Sequence, residues 1–149
     1  MNKRTLFTIV LGAMVSLMWA APIRWETDYA QALAEAQKTS KHLLLNFTGS
    51  DWCPWCFRLR DEVFATPEFQ KYAEKNLICV ELDFPRAKKQ SDTLKKQNQE
   101  LARQFGVPGF PTVLVLTPKG ELAGTTGYRQ GGGALYADHV KDIISGKAR

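Results

Sequence analysis

The chain has 149 residues, a net charge of +5, 44% hydrophobic and 11% aromatic content, and three cysteines. That length gives one domain plus a removable leader, with enough apolar side chains for one packed core. Its lysines and arginines are interleaved with acids and not striped with aromatics, which excludes a nucleic-acid-binding surface.

The leader runs from Met1 to about Ala21. Asn2-Lys3-Arg4 supplies a positive start, Leu6 to Trp19 is uncharged and mostly apolar, and Ala20-Ala21 offers small residues for cleavage. The run is shorter than the roughly 20 residues that span a bilayer comfortably. It therefore reads as a signal peptide over 1–21 followed by a domain over 22–149, with no membrane span after cleavage. A retained N-terminal anchor stays open. Export places the cysteines where disulfides persist.

Trp25 to Lys38 reads as an amphipathic helix with Thr27 or Asp28 as cap. His42 to Phe47 is a continuous apolar run, the pattern of a strand buried on both faces. Thr48 to Trp52 is a loop, and a helical pattern follows from Cys53 through Phe64. Thr66-Pro67 breaks it and starts a second piece, Phe69 to Glu74. Leu77 to Leu82 is a strand, Asp83 to Gln90 a polar loop, and Ser91 to Phe105 a helix stopped by Gly106. Val107 to Pro111 is a rigid connector. Thr112 to Thr117 and Glu121 to Thr125 form a hairpin about Pro118-Lys119-Gly120. Gly127 to Gly133 is a glycine-rich bend, and Ala134 to Ser145 closes the chain as a helix. Right-handed crossovers make the first two strands parallel neighbours. The hairpin then adds an antiparallel edge, giving an α/β domain with a mixed central sheet and helices on both faces.

The strand, the short loop and Cys53-Pro54-Trp55-Cys56 at a helix start together describe a redox site. Unpaired N–H groups and the helix dipole stabilise a thiolate there, and thiolate is the reactive form. Pro54 has no N–H, so Trp55 and Cys56 are the expected donors to Cys53. A structural disulfide and half of a zinc site are the competing readings; zinc needs two further ligands, and His42, His139 and Cys79 offer no second paired spacing. Cys79, inside Leu77-Ile78-Cys79-Val80, reads as a buried hydrophobe. Trp52 and Trp55 flank the pair, either as an apolar platform for extended partners or as a cap on the core. Asp51 either tunes the thiol or stabilises the loop. Arg86, Lys88, Lys89, Lys95 and Lys96 form either a docking face for an acidic partner or a solvated face.

Trp52-Cys53-Pro54-Trp55-Cys56 after a buried strand, with Gly109-Phe110-Pro111-Thr112 before a second strand, resembles the thioredoxin fold over roughly Trp25 to Ile144. The leader and the phrase Asn46-Phe47-Thr48-Gly49-Ser50-Asp51-Trp52-Cys53 bring the chain near exported bacterial thioredoxin-like disulfide oxidoreductases. The resemblance implies that Cys53 is the nucleophile and Cys56 the resolving cysteine. It further implies that Pro111 is cis against the disulfide, and that Phe110 pairs its backbone with an extended substrate. Asn46 stands where ordinary thioredoxins carry a buried aspartate, and asparagine takes no proton from Cys56. Glu81, mid-strand where thioredoxins place a lysine, is the candidate substitute acceptor, against a strand glutamate that faces water.

These readings combine into a periplasmic thiol–disulfide oxidoreductase, needing no cofactor and no metal and working as a monomer on cysteines of exported proteins. No histidine lies between the cysteines to hold a very stable thiolate, which favours reduction over isomerase-like or oxidising work. A reductase outside the cytoplasm needs a membrane electron donor. The alternative of another class is a non-catalytic thioredoxin-fold binding module in which Cys53–Cys56 is only a staple.

Overall fold

A computed structural model of the chain describes residues 20–148. The leader reading falls on residues 1–19, outside the described residues, apart from Ala20 and Ala21. The elements in chain order are β1 (Trp25–Glu26), α1 (Tyr29–Thr39), β2 (His42–Thr48) and α2 (Pro54–Leu59), the last continued by a π-helical turn, Arg60–Phe64. They are followed by α3 (Pro67–Asn76), β3 (Leu77–Asp83), α4 (Asp92–Gln104), β4 (Thr112–Leu116), β5 (Leu122–Thr126) and α5 (Gly132–Ile144).

The five strands make one mixed sheet in the order β1-β3-β2-β4-β5. β3 runs parallel to both β1 and β2, while β4 is antiparallel to β2 and to β5. Strand alternation divides the core into two layers. Leu43, Leu45 and Phe47 face one side with Ala32 and Ala36 of α1 and Leu101 of α4. Leu44 faces the other with Leu59, Val63, Phe69 and Tyr136 from α2, the π turn, α3 and α5. Phe47, Leu59 and Phe69 are fully buried, each contributing roughly 1.5–3 kcal/mol by leaving water.

Local signals set the helix starts. Asp28 accepts from the Gln31 N–H at 3.0 Å and Ser91 from the Leu94 N–H at 3.2 Å, each an N-cap bond. Gly106 takes a left-handed φ of 63° just past α4, where a side chain would be strained. One expected boundary is corrected. The first helix does not begin at Trp25: Trp25 and Glu26 pair with Cys79 and Val80 as an edge strand, and α1 starts at Tyr29. Trp25 packs edge-on to Phe64, 5.1 Å between ring centres, so tertiary contact overrides the helical pattern.

Candidate active site

The reactive segment leaves the end of β2 through a short loop closed by its own backbone. Gly49 O accepts from the N–H groups of Trp52 (3.2 Å) and Cys53 (3.0 Å). A Cβ on Gly49 would stand 2.4 Å from Cε2 of Trp52, so only glycine lets that indole lie flat on the loop.

Cys53 is the N-cap of α2, with extended backbone (φ −94°, ψ 107°) and Pro54 as the first helical residue. Its Sγ accepts from the Cys56 N–H at 3.3 Å. Of the two donors expected, Cys56 alone supplies a bond among the described residues, because the N–H of the third helical residue points at the cap atom. Cys53 and Cys56 are joined as a disulfide with Cα atoms 5.2 Å apart. They are 4% and 5% exposed, while Pro54 and Trp55 between them lie open and Trp55 is 53% exposed. The disulfide sulfurs are uncharged, so burying them in this oxidised form carries no charge-desolvation cost.

Two different walls flank the pair. On one side Trp52 Nε1 donates to Phe84 O at 2.8 Å, and the indole meets Phe110 edge-on at 5.9 Å. Phe110 in turn packs on Phe84 at 4.8 Å, and the Phe110–Pro111 bond is cis. On the other side Trp55 leans on Tyr128 at 5.3 Å. The Arg58 guanidinium stacks over both rings, at 5.0 and 4.7 Å. Glu62 closes this cluster by accepting from Arg58 Nε at 2.8 Å and from the Tyr128 hydroxyl. Sequence reasoning missed Tyr128; its signal was an aromatic residue alone in a glycine-rich bend.

Asp51 stabilises a loop. Its carboxylate accepts from the backbone N–H groups of Arg86 (3.0 Å), Ala87 (2.8 Å) and Lys88 (2.9 Å). Those bonds, Arg86's first, hold its pKa down to about 2. Asp83 adds a second tie, accepting from Ser50 N at 2.9 Å and Ser50 Oγ at 2.5 Å. Residues 83–88 are thus latched onto the reactive loop.

Glu81 does not face open water. It pairs in register with Asn46 of β2, and alternation from Leu77 and Cys79 puts both on the sheet face beneath α2. Burial first, and the Asp83 charge next, push the Glu81 carboxyl pKa up, with Lys88 opposing. Asn46 is 6% exposed and its Oδ1 has no hydrogen-bond partner.

The other candidates fall outside this constellation. Cys79 is buried and its thiol is pushed up to about 12 by burial, which suits an inert core residue. His139 faces Thr126 Oγ1 at 3.0 Å on the α5 side of β5, and burial lowers the His42 pKa. Among the described residues no group of three or more His, Cys, Asp or Glu side chains is gathered to hold a metal.

Residues 29–132 match the family model of a thioredoxin-like domain. The chain belongs to the thioredoxin-like family. It is 38% identical over 125 residues to the disulfide bond reductase DsbH of Chlamydia pneumoniae, spanning 84% of this chain and 75% of that protein. It is 30% identical over 120 residues to the thioredoxin-related protein DsbJ of the same organism, spanning 76% of this chain and 34% of the relative. A solved DsbH oxidoreductase superposes with TM-score 0.82 at 34% identity, covering 97% of this chain and 95% of the other. A thioredoxin from Thermus thermophilus (TM-score 0.63, 23% identity, 85% and 91% covered) shows the fold alone. This thioredoxin-like protein is a thiol–disulfide oxidoreductase. Among the described residues no helix is long and apolar enough to cross a membrane.

Proposed function

We propose that the protein is exported through a cleaved signal peptide over 1–21 and reduces disulfides of exported proteins in the periplasm. The observation that carries the site assignment is Cys53 at the N-cap of α2 with the Cys56 N–H on its sulfur. The same N–H and the helix dipole favour negative charge on that sulfur once the pair is reduced.

The Cys53 thiolate attacks one sulfur of a substrate disulfide. The substrate S–S bond breaks, a mixed disulfide forms, and the first substrate thiolate leaves and takes a proton from water. Cys56 then gives its proton to the Glu81 carboxylate and attacks Cys53 Sγ. The second substrate thiolate is released, and two electrons have passed from the pair to the substrate. Trp52, Pro54 and Trp55 shape the approach, and the backbone of Phe110 beside Pro111 pairs with an extended substrate. A membrane donor of electrons restores the dithiol.

Two measurements test this. Cys53→Ser abolishes insulin-disulfide reduction, while Cys56→Ser accumulates a mixed disulfide; insulin reduction surviving in Cys53→Ser would favour the binding-module reading. Equilibration of the wild-type pair with glutathione gives a potential near about −270 mV for a thioredoxin-like reductant, whereas a value near about −120 mV marks an oxidant.

A further inference from the structure

The loop and helix after β3 carry an unspent charge. From Phe84 to Gln99 there are five cations (Arg86, Lys88, Lys89, Lys95 and Lys96) and one acid, Asp92. All five cations are exposed. None takes part in the ion pairs among the described residues, which join Arg24–Glu26, Arg58–Glu62, Arg60–Asp61 and Lys141–Asp138.

This charge stands at the redox pair. The Arg86 guanidinium lies 3.8 Å over the ring of Trp52, the residue next to Cys53. Lys88 Nζ donates to Ser50 Oγ at 3.1 Å in the reactive loop. The acids nearest by bonding, Asp51 and Asp83, spend their hydrogen bonds on the latch, and the Asp51 charge offsets part of that of Lys88. Outward of the latch a cleft of about 400 Å³ is lined by Phe84, Pro85, Arg86, Lys88, Gln90 and Lys95, with Gln99 at its edge. Its lining holds three cations and no carboxylate. The opposite wall differs: Arg58, itself exposed, is paired with Glu62, and beside them the indole of Trp55 lies open.

We infer that the substrate is an extended polypeptide with acidic side chains on one flank of its reactive cysteine, seated in the Arg86–Lys88–Lys95 cleft, and apolar side chains on the other, against Trp55. The inference rests on the oxidoreductase reading and names the substrate class of that site. The latch makes the recognition effective, because Asp51 fixes the backbone of residues 86–88 before a partner arrives and less ordering remains to be done on binding.

The test uses the reduced full-length protein and three cysteine peptides, each as a mixed disulfide with nitrothiobenzoate. Their cysteines are flanked by glutamates, glutamines or lysines, and each rate is divided by the rate of the same disulfide with dithiothreitol. One charge pair held about 7 Å apart in water changes a rate about two- to threefold. Three cations therefore predict about a tenfold gain for the glutamate peptide over the glutamine peptide at low salt, and a larger preference for the glutamate over the lysine peptide. The preference shrinks severalfold in 0.5 M salt as the screening length shortens. Lys88→Glu/Lys95→Glu abolishes or inverts it, and Lys88→Gln/Lys95→Gln reduces it. Both peptides are read on the same variant, so a general loss of activity cancels from the ratio. Equal rates for the two peptides on the wild type, or an unchanged ratio in both double variants, overturn the inference while leaving glutamine-peptide reduction intact. Failure of the wild type to react with any of the three removes the reductase reading and this one with it.

Discussion

Gly49→Ala is a direct probe of how the reactive loop is held. The new Cβ would lie 2.4 Å from Trp52 Cε2 and 2.7 Å from Cζ2 and Nε1, about 1 Å inside the ordinary contact distance of about 3.5 Å. The indole is rigid, so relief requires the whole ring to swing away. Swinging breaks the Nε1 bond to Phe84 O at 2.8 Å, worth about 0.5–1.5 kcal/mol. It separates the Phe110 edge contact, worth about 0.5–1.5 kcal/mol. It also lifts Trp52 from Arg86, about 0.5–1 kcal/mol at an exposed site. Gly49 has no left-handed φ, so alanine regains about 0.4–1 kcal/mol by restricting the unfolded chain. The net expected loss is about 2 kcal/mol, read as a lower urea midpoint at unchanged slope for the oxidised protein. Insulin reduction falls as well, because the displaced ring is next to Cys53. The second arm of a double-mutant cycle repeats the change in a Trp52→Ala background, where it should be neutral or slightly stabilising. A Gly49→Ala protein within 0.5 kcal/mol of wild type, or one losing as much without Trp52, would refute the reasoning.

The Glu81 carboxyl has a raised pKa, so the folded state holds that proton more tightly than the unfolded chain, whose value is about 4.3. Stability is full below that value and is lost as pH rises through the folded one. Urea midpoints at pH 4 and pH 8 should therefore fall further in wild type than in Glu81→Gln, and parallel changes would remove the buried-acid reading. Asp51 has the opposite sign: its pKa is held near 2, against about 3.9 unfolded. The latch is thus complete above about pH 4 and opens as pH falls toward 2. The backbone N–H shifts of Arg86, Ala87 and Lys88 should titrate together with a midpoint near 2 and stay flat in Asp51→Asn; a midpoint at the unfolded value would deny the three bonds.

The features legible in the sequence are those set by neighbours along the chain. An apolar run such as His42 to Phe47 announces a buried strand, and Thr66-Pro67 or Ser91 announces a helix start, because the cap bond reaches only three residues. Cys53 was legible because its role depends on the helix that it begins. What stayed hidden depends on contacts across the fold. β1 is two residues long and exists because Cys79 and Val80 offer it partners. Asp51 meets its three N–H partners 35 to 37 positions away, and no local pattern encodes that. Tyr128 reaches Glu62 across 66 positions. The facing of Glu81 was ambiguous from alternation alone, since a strand covered on both faces has no outward side to betray an acid.

The latch and the proposed proton acceptor share a residue. β2 here has an amide, Asn46, where a carboxylate is the usual device, and its orphaned Oδ1 costs about 1–3 kcal/mol that an apolar side chain would not. The acid stands one strand away, at the same register, on Glu81. Two positions further along β3 is Asp83, whose charge is the second cause of the raised Glu81 pKa and whose carboxylate is tied to Ser50 in the reactive loop. Any movement that pulls Ser50 from Asp83 changes the field at Glu81, and any proton gained by Glu81 relieves the repulsion that Asp83 feels. With the acid at Glu81, the proposed proton step is therefore coupled through Asp83 to the loop that presents Cys53.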